Sequence, residues 1–486
     1  MEKQESTASA CALRIRFDRG TLLVDGCPLK ADGSFSDRCH ALEDDTAQAA
    51  LAMLGEGFSF DRRVNAHRSL ALEYRPLLMR LHRASHPYLD QARAYQTLSL
   101  QHRARLEPFE HQREALDAWN ATGGQGVVVL PTGSGKTFLA ELAIAKIARS
   151  TLVLTPTIDL MSQWYDTLCA AFDQPIGLLG GGSHDPQALT ISTYDSAYIH
   201  IENLGNRFGL LIFDEVHHLP SSSYALAAEC AIAPYRLGLT ATPERSDDAH
   251  QRYPKLVGPI VYQKAIKALA GTHLSDYDVL HVEVELSPEE RRLYDEERAL
   301  YLDFLRKNGI RMSSGGGWQD FVRSSSRSTQ GRRALRAYQQ QRRIALGCVN
   351  KLDYLAMLLR RHRQDRVIVF TNDNATAYAI SRRFLIPTIT HQTPVRERKT
   401  LLERFNDGSY PCLVTSKVLN EGVNVPAANV GIVLSGSGSV REHVQRLGRI
   451  LRRVENKHAL LYEIVARATH EEFVSERRRE HEAYRP

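Results

Sequence analysis

The stretch VVVLPTGSGKT at residues 127–137 is the most informative part of this sequence. Its β-branched residues predict a buried strand that ends near Leu130, and a Gly-rich turn then leads into a helix that begins near Lys136. In such a turn consecutive backbone N–H groups point inward, and the helix adds its positive N-terminal end. The stretch therefore predicts a cradle for a polyphosphate.

The residue types in the turn suit phosphate binding for different reasons. Gly133 and Gly135 let the backbone approach closely, because a Cβ would block it. Lys136 is expected to reach the β and γ phosphates, and the hydroxyl of Thr137 to hold Mg²⁺. Leu130 stands where the full pattern has Gly, so an ordinary strand-to-helix turn is the alternative for the loop alone. The expected nucleotide contacts are Pro131, Thr132, Gly133, Ser134, Gly135, Lys136 and Thr137.

Apolar strands separated by helical stretches follow the loop. They begin at Thr151 (TLVLTPT), Leu189 (LTISTYDSA), Leu210 (LLIFDEVHH) and Tyr235 (YRLGLTATPER). This alternation is typical of a parallel sheet that is covered by helices on both faces. The fold class is therefore predicted to be α/β.

Two carboxylates follow the strand that begins at Leu210. Asp214 and Glu215 come at its carboxyl end, where an α/β sheet binds its ligands. Asp214 is suited to holding Mg²⁺, and Glu215 can orient and deprotonate an attacking water. His217 and His218 are adjacent and face different ways, so a link between the nucleotide site and the rest of the domain suits His217 better than a metal site.

An amphipathic helix, LEPFEHQREALDAW, lies just upstream of the phosphate loop. Phe109 could stack on an adenine ring, and Gln112 could bond to the edge of that ring. A capping or surface role is the alternative for Gln112. The adenine assignment depends on the position of this helix before the loop.

Length and composition limit the class of protein. A chain of 486 residues should form about three or four domains, each with its own core. The chain has 43% hydrophobic and 24% charged residues, and no stretch approaches the length of a membrane span. The N-terminus lacks the layout of a signal peptide, so a cytoplasmic location is expected. The seven scattered cysteines suggest neither a disulfide framework nor a zinc site.

Residues 286–345 form the most distinctive insertion. Two helical segments are expected on either side of a Gly/Ser-rich connection. Residues 304–343 contain ten Lys or Arg against one acid, with Trp318, Phe321 and Tyr338 interspersed. A positive field attracts phosphates and flat rings attract unpaired bases, so the segment is a candidate single-strand binder. The alternative is a solvated hairpin whose aromatics form its own small core. The arginines expected to contact DNA here are Arg323, Arg327, Arg332 and Arg333, together with Trp318.

A basic helix, HVQRLGRILRR, lies near the end of the chain. Fixed guanidinium groups stabilise the charge that develops on a transferring phosphoryl group. Arg449 and Arg452 are therefore assigned as arginine fingers, and Gln445 as a nucleotide-sensing residue. A basic surface helix is the alternative.

These motifs together resemble a known family. The motor motifs of superfamily two helicases are similar to four stretches of this chain, which are PTGSGKT, DEVHH, TAT at residues 240–242 and QRLGRILRR. In finer detail, the sequence of residues 106–465 resembles the XPB branch in its bacterial and archaeal form. The resemblance implies two RecA-like parallel-sheet motor domains with ATP in the cleft between them, a helical thumb and a small N-terminal α/β domain.

The resemblance also implies domain limits and further DNA contacts. The expected domains are residues 1–95, related to damage recognition; 96–285, the first motor; 286–345, the thumb; and 346–486, the second motor. Arg245 lies where the family has an Arg-Glu-Asp element, which here reads Arg-Ser-Asp, so strand separation by that element is in doubt. Lys417 should touch the nucleic-acid backbone, although Asn420 and Asn424 replace the usual carboxylates nearby.

The implied activity is ATP-dependent movement along DNA in the 3′ to 5′ direction, in DNA repair. ATP and Mg²⁺ are the expected cofactors. Single-stranded DNA and fork or duplex junctions are the expected partners, no membrane partner is expected, and microbial relatives often work with a nuclease. Two rival hypotheses are a nucleotide-controlled duplex translocase or clamp that does not unwind DNA, and an RNA helicase.

The N-terminal residues carry none of this chemistry. LRIRFDRGTLLVDG, from Leu13, alternates apolar and polar positions and predicts a β-hairpin, with a turn at Asp25 and Gly26. Arginines on this module could grip DNA. A solvated charged face is the alternative for those arginines taken alone.

Overall fold

The computed structural model describes residues 11–28, 52–103, 107–245, 247–265, 268–269, 276–312, 316–416, 428–434 and 458–479. The chain divides into two compact units. The first contains Met1–Leu130 and Gly135–Lys264, and the second contains Pro131–Ser134 and Ala265–Pro486. Within the described ranges, no helix is both long enough and apolar enough to cross a bilayer.

The first unit begins with a small mixed sheet, and one α-helix of the described residues packs on it. Its strands run in the spatial order β3-β4-β2-β1-β5, and Leu13, Leu22 and Leu77 lie in its core. The elements are β1 (Cys11–Asp18), β2 (Thr21–Pro28), β3 (Ser59–Asp61), β4 (Ala66–Leu70), α1 (Tyr74–Arg83) and β5 (Tyr88–Asp90).

The predicted N-terminal hairpin is confirmed, but its predicted turn is wrong. β1 and β2 pair antiparallel, and the turn lies at Arg19 and Gly20, with φ of 44° and 77°. Two positive φ angles suit the tight right-handed twist of a two-residue hairpin. Asp25 and Gly26 lie within β2, where the Asp25 carboxylate accepts bonds from Arg14 and is held in the ladder.

The larger part of the first unit is a sheet with strand order β13-β6-β12-β11-β7-β10-β8-β9. Its pairs are parallel except for the β8–β9 pair at one edge, so the predicted α/β sheet is present. Its strands are β6 (Gln125–Val129), β7 (Thr151–Thr155), β8 (Ile176–Gly180), β9 (Ser183–Asp185), β10 (Leu189–Thr193), β11 (Leu210–Asp214), β12 (Tyr235–Thr240) and β13 (Ile260–Gln263).

Helices connect the strands of this sheet. They bury apolar side chains against strands that are themselves fully buried, as in β7, β10 and β11. The helices are α2 (Glu110–Ala121), α3 (Lys136–Ile147), α4 (Ile158–Ala171), α5 (Tyr194–Leu204), α6 (Leu226–Glu229) and α7 (Tyr253–Leu256).

The second unit contains a parallel sheet with strand order β14-β19-β18-β15-β17-β16. β14 precedes the thumb segment in the chain and pairs in parallel with β19. The strands are β14 (Asp276–Val284), β15 (Val367–Phe370), β16 (Thr388–Ile389), β17 (Cys412–Thr415), β18 (Val430–Val433) and β19 (His458–Ala466). The helices beside them are α11 (Val349–Arg361), α12 (Asn374–Phe384), α13 (Val395–Asp407) and α14 (His470–Arg479).

The thumb segment contains three helices, where the sequence predicted two around an irregular connection. They are α8 (Pro288–Lys307), α9 (Gly317–Ser326) and α10 (Thr329–Leu346). Gly317, Phe321 and Ser325 are buried at helical spacing, which explains why a Ser-rich stretch forms α9. A capping box at Ser287 and Glu290 starts α8.

A buried ion pair attaches the C-terminal helix to the second sheet. The Lys351 ammonium lies 2.6 Å from the Glu471 carboxylate and donates a second bond to the Leu434 carbonyl. Glu471 also accepts a bond from the backbone N–H of Ala466, at the end of β19. Because both charges are buried, removing one partner would leave the other uncompensated.

Candidate nucleotide and nucleic-acid sites

The phosphate loop joins β6 to α3. Gly133 and Gly135 have φ of 89° and 84°, so both occupy the left-handed region that glycine tolerates. The Lys136 ammonium donates to the Leu130 carbonyl at 3.0 Å, and the Ser134 hydroxyl donates to Pro131 at 2.8 Å. The loop therefore holds its lysine beside the turn that the sequence predicted.

The upstream helix α2 touches this loop directly. The Gln112 amide donates to the Gly135 carbonyl at 3.3 Å, and its oxygen accepts from the N–H of Phe109 at 2.9 Å. A Cβ on Gly135 would collide with the Gln112 amide, which is a second reason for glycine there. The Phe109 ring is 47% exposed and stacks on His111. Gln112 is thus buried and bonded to the loop, whereas the Phe109 ring remains partly exposed.

The two carboxylates lie at the carboxyl end of β11. Asp214 is buried and accepts bonds from the Trp164 indole at 2.8 Å and from the Glu215 N–H at 3.0 Å. The Tyr194 hydroxyl donates to the backbone carbonyl of Asp214. Burial raises the pKa of the Asp214 carboxyl, while the Trp164 bond and the charge of Lys136 act in the opposite direction.

These oxygen donors fit a magnesium ion. A cation beside Asp214 would offset the cost of burying its charge, and the Lys136 ammonium is the positive group that already lowers the pKa of this carboxyl. A carboxylate and the hydroxyl of Thr137 are the hard ligands that Mg²⁺ prefers. The Asp214 carboxylate and the Thr137 hydroxyl are therefore the groups that would hold the ion that the sequence predicted.

A chain of contacts leads from Glu215 to the next strand. His217 is fully buried, with its Nδ1 3.4 Å from a Glu215 oxygen and 3.1 Å from the Thr240 hydroxyl. The Thr240 hydroxyl also accepts a bond from the N–H of Thr242, and Arg245 donates to the His217 carbonyl. His217 therefore forms the link within the first unit that its position in the sequence indicated.

The thumb aromatics have unequal exposure. Trp318 is 47% exposed, whereas Phe321 is fully buried in the helical core. The Trp318 ring lies 5.2 Å from the ring of Tyr338 and 5.7 Å from that of Phe321. Phe321 is thus a core residue and cannot stack on a base, so the prediction of three stacking rings is wrong for it. Trp318 keeps one open face.

The predicted arginine contacts also differ in their surroundings. Arg323, Arg327 and Arg332 are exposed, as phosphate contacts must be. Arg333 forms a two-bond pair with Glu297 on α8, at 2.6 and 2.9 Å, and this pairing raises its pKa. Arg245 is paired in the same way with Asp247.

Some residues that support these sites were not predicted from the sequence. Trp164 and Tyr194 support Asp214 from α4 and α5, and nothing in the local sequence marks them. Arg336 is exposed one turn beyond Arg332 on α10, so helical spacing could have found it. Four predicted site residues lie outside the described residues, as do Ser246, Asn420 and Asn424; the four are Lys417, Gln445, Arg449 and Arg452.

Three family models match the chain in order. They are the Xeroderma pigmentosum group B helicase damage recognition domain at residues 15–92, the Type III restriction enzyme, res subunit at 105–245 and the Helicase conserved C-terminal domain at 350–454. A DNA 3′-5′ translocase XPB2 of Sulfurisphaera tokodaii is 43% identical over 376 residues, which are 77% of this chain and 85% of that protein. The chain belongs to the XPB family of helicases.

A more distant XPB relative agrees with this assignment, and one solved structure shares the fold. The DNA 3′-5′ helicase XPB of Mycobacterium tuberculosis is 30% identical over 74% of this chain, and the chain spans 60% of that protein's length. The Hef helicase domain of Pyrococcus furiosus matches 75% of this chain and 97% of its own, with a TM-score of 0.50 and 18% identity. That structural match concerns the α/β fold alone.

Proposed function

We infer that this XPB-family chain is an ATP-dependent DNA helicase or translocase that moves 3′ to 5′ and acts in DNA repair. One observation supports the inference: the charge of Lys136 on the phosphate loop acts on the buried Asp214, which bonds to the Glu215 N–H, and contacts then lead from Glu215 through His217 to Thr240. The archaeal relative that covers most of the chain is named a DNA 3′-5′ translocase.

We propose that ATP binds at the phosphate loop. Residues 131–135 would surround the phosphates, Lys136 would reach the β and γ groups, and Phe109 and Gln112 would lie at the adenine. Magnesium, held by Thr137 and Asp214, would supply charge neutralisation on the phosphates. Gln445 is proposed to sense the nucleotide from the second motor.

The chemical step would need an aligned water and a stabilised phosphoryl group. Glu215 is the proposed base, because it follows Asp214 at the end of β11 and its carboxylate lies 3.4 Å from the buried His217 ring. Arg449 and Arg452 are the proposed arginine fingers. The bond from the Thr242 N–H to Thr240 gives a route by which a change at Glu215 reaches the next strand.

We propose that DNA contacts several parts of the chain. Trp318 would stack on an unpaired base, and exposed thumb arginines would bind phosphates. The two motors are assigned to residues 96–285 and 346–486, the thumb to 286–345 and a damage-recognition role to 1–95. β14 falls within the first of these ranges but pairs with β19 of the second sheet. The other proposed DNA contacts are Arg245, Arg323, Arg327, Arg332, Arg333 and Lys417.

A second candidate is translocation along duplex DNA without strand separation. The name of the archaeal relative, a translocase, and the Arg-Ser-Asp sequence at residues 245–247 favour it. Displacement of a third strand from a triplex, without unwinding of a forked duplex, would distinguish this activity from that of a helicase.

The primary test is a tailed-duplex unwinding assay on wild type and Lys136→Ala, with matched DNA and RNA substrates. We expect ATP-dependent unwinding of DNA that bears a 3′ tail, and loss of that activity in the variant. Equal activity in the two proteins would show that the phosphate loop does not drive unwinding. Stronger unwinding of RNA would support the RNA helicase instead.

A nuclease partner and a cytoplasmic location complete the proposal. DNA opened by a repair helicase must be cut for repair to proceed, so a structure-specific nuclease is the expected partner. Cell fractionation, together with co-purification of a nuclease activity from the native host, tests both points. Enrichment in the membrane fraction would contradict the location.

A further inference from the structure

An apolar groove lies on the second unit, at the edge of the sheet opposite to its ligand-binding end. Two adjoining cavities of about 700 and 660 Å³ share four lining residues, which are Phe384, Ile386, Pro411 and Cys412. Strands β15 and β17 begin at this edge, at Val367 and Cys412. Ligands of parallel α/β sheets bind at the carboxyl ends of the strands, so the groove is separate from the proposed ATP chemistry.

At the rim of the groove, Leu385 combines an exposed apolar side chain with a strained backbone conformation. Leu385 is 89% exposed and lines the larger cavity. It has φ of 54° and ψ of 41°, the left-handed conformation that ends α12, where glycine is the usual residue. The Ser381 carbonyl accepts the closing bonds of this cap, so the conformation is fixed. An exposed apolar side chain on strained backbone points to a contact that the chain alone does not make.

Positive charge predominates around the groove. Arg360, Arg363 and Arg382 line it and are exposed. The carboxylate in the lining, Asp365, is already bonded to His362 at 2.8 Å and to the Asn429 amide at 2.6 Å. The described lining therefore carries three exposed guanidinium groups against one carboxylate, and that carboxylate already accepts bonds from within the chain.

We propose that this groove is a docking site for a partner protein, which inserts a short segment that has apolar side chains flanked by aspartate or glutamate. The apolar floor would accept the apolar side chains, and Leu385 would pack against them from the rim. The exposed arginines would pair with the acids and set the orientation of the segment. The apolar residues that the two cavities share favour a peptide over nucleic acid.

The first experiment selects peptides on the full-length protein. Random peptides of about a dozen residues, displayed on phage, are selected on wild type and in parallel on Leu385→Gly. Glycine removes the apolar tip and suits the left-handed backbone, so this variant should fold at least as well as wild type. We expect peptides that combine apolar and acidic residues to be enriched on wild type only. Equal enrichment on both proteins, enrichment of basic peptides, or none at all would overturn the proposal.

The second experiment maps the binding of the best peptide by fluorescence anisotropy. Arg360→Glu/Arg363→Glu and Leu385→Gly should each weaken binding by about tenfold or more. Arg361→Glu is the matched control, because Arg361 is exposed on the same helix but does not line the groove, and it should bind within about twofold of wild type. An equal loss in the control, or displacement of the peptide by single-stranded DNA, would show a general electrostatic effect and overturn the proposal. ATP hydrolysis should be unchanged in Leu385→Gly, so failure here is distinct from failure of the motor function.

Discussion

At the scale of single residues, Glu215 has a strained backbone conformation and is also the proposed catalytic base. Its φ of 47° lies in the left-handed region, which costs a residue with a Cβ about 1–2 kcal/mol. Asp214 accepts a bond from the Glu215 N–H, and this bond helps to hold the turn. Strain of this kind is tolerated where a side chain must be aimed, and here it aims a carboxylate beside the buried His217.

Replacing Glu215 with Gln should separate hydrolysis from folding. The amide keeps the size of the side chain but cannot accept a proton, so we expect the rate of ATP hydrolysis to fall by about a hundredfold or more. Binding of a non-hydrolysable ATP analogue and the melting temperature should stay near those of wild type. Steady-state ATPase assays and thermal unfolding provide the two readings. A variant that keeps most of its hydrolysis would remove Glu215 from the mechanism.

At the scale of elements, the thumb uses its aromatic residues in two ways. Phe321 and Tyr301 pack in the core among α8, α9 and α10, whereas Trp318 contacts Phe321 and Tyr338 and is still 47% exposed. Helical spacing alone could not divide these roles. The division depends on how α9 packs on α10, and the sequence analysis did not predict α9 at all.

Trp318→Ala should weaken binding of single-stranded DNA by about 1–3 kcal/mol, which is the usual value of one base stacked on an aromatic ring. Stability should change little, because the ring is only half-buried. Val322→Ala is the matched control, since Val322 is 40% exposed on the same helix. Fluorescence anisotropy with a labelled oligonucleotide measures both variants. The stacking role is wrong if the two variants bind alike.

The C-terminal helix α14 should make the second unit sensitive to acid. Burial, and then the charges of Arg342, Lys351 and Arg298, lower the pKa of His470 from 6.5 to about 3. The folded state therefore keeps this ring neutral while the unfolded state takes up a proton below pH 6.5, so stability is complete above that pH and falls toward pH 3.

The acid sensitivity can be measured by hydrogen exchange of the β19 amides. Between about pH 6 and about pH 5, the opening free energy should fall by about 1 kcal/mol more in wild type than in His470→Asn, after correction for the intrinsic exchange rate. Because the test compares how the opening free energy changes with pH in each protein, any destabilisation by the substitution that does not depend on pH cancels. Identical slopes in the two proteins would show that His470 is not held neutral.

At the scale of the whole molecule, the sequence predicted what local patterns encode. The phosphate loop, the strand that ends at Asp214 and the parallel α/β sheet all depend on residues that are close in the chain, and these predictions agree with the structure. The position of the turn at Arg19 depends on fine turn geometry. The pairing of β14 with β19 depends on packing between residues that are far apart in the chain. Support of Asp214 by Trp164, 50 residues away, is equally invisible in the sequence.

We infer that DNA controls ATP hydrolysis at the Lys136 and Asp214 site. The decisive measurement is the ATPase rate of wild type and Lys136→Ala, with no DNA, with single-stranded DNA and with duplex DNA. We expect DNA to stimulate wild type by about tenfold or more and the variant to stay near background under every condition. A wild-type rate that neither form of DNA changes would contradict it.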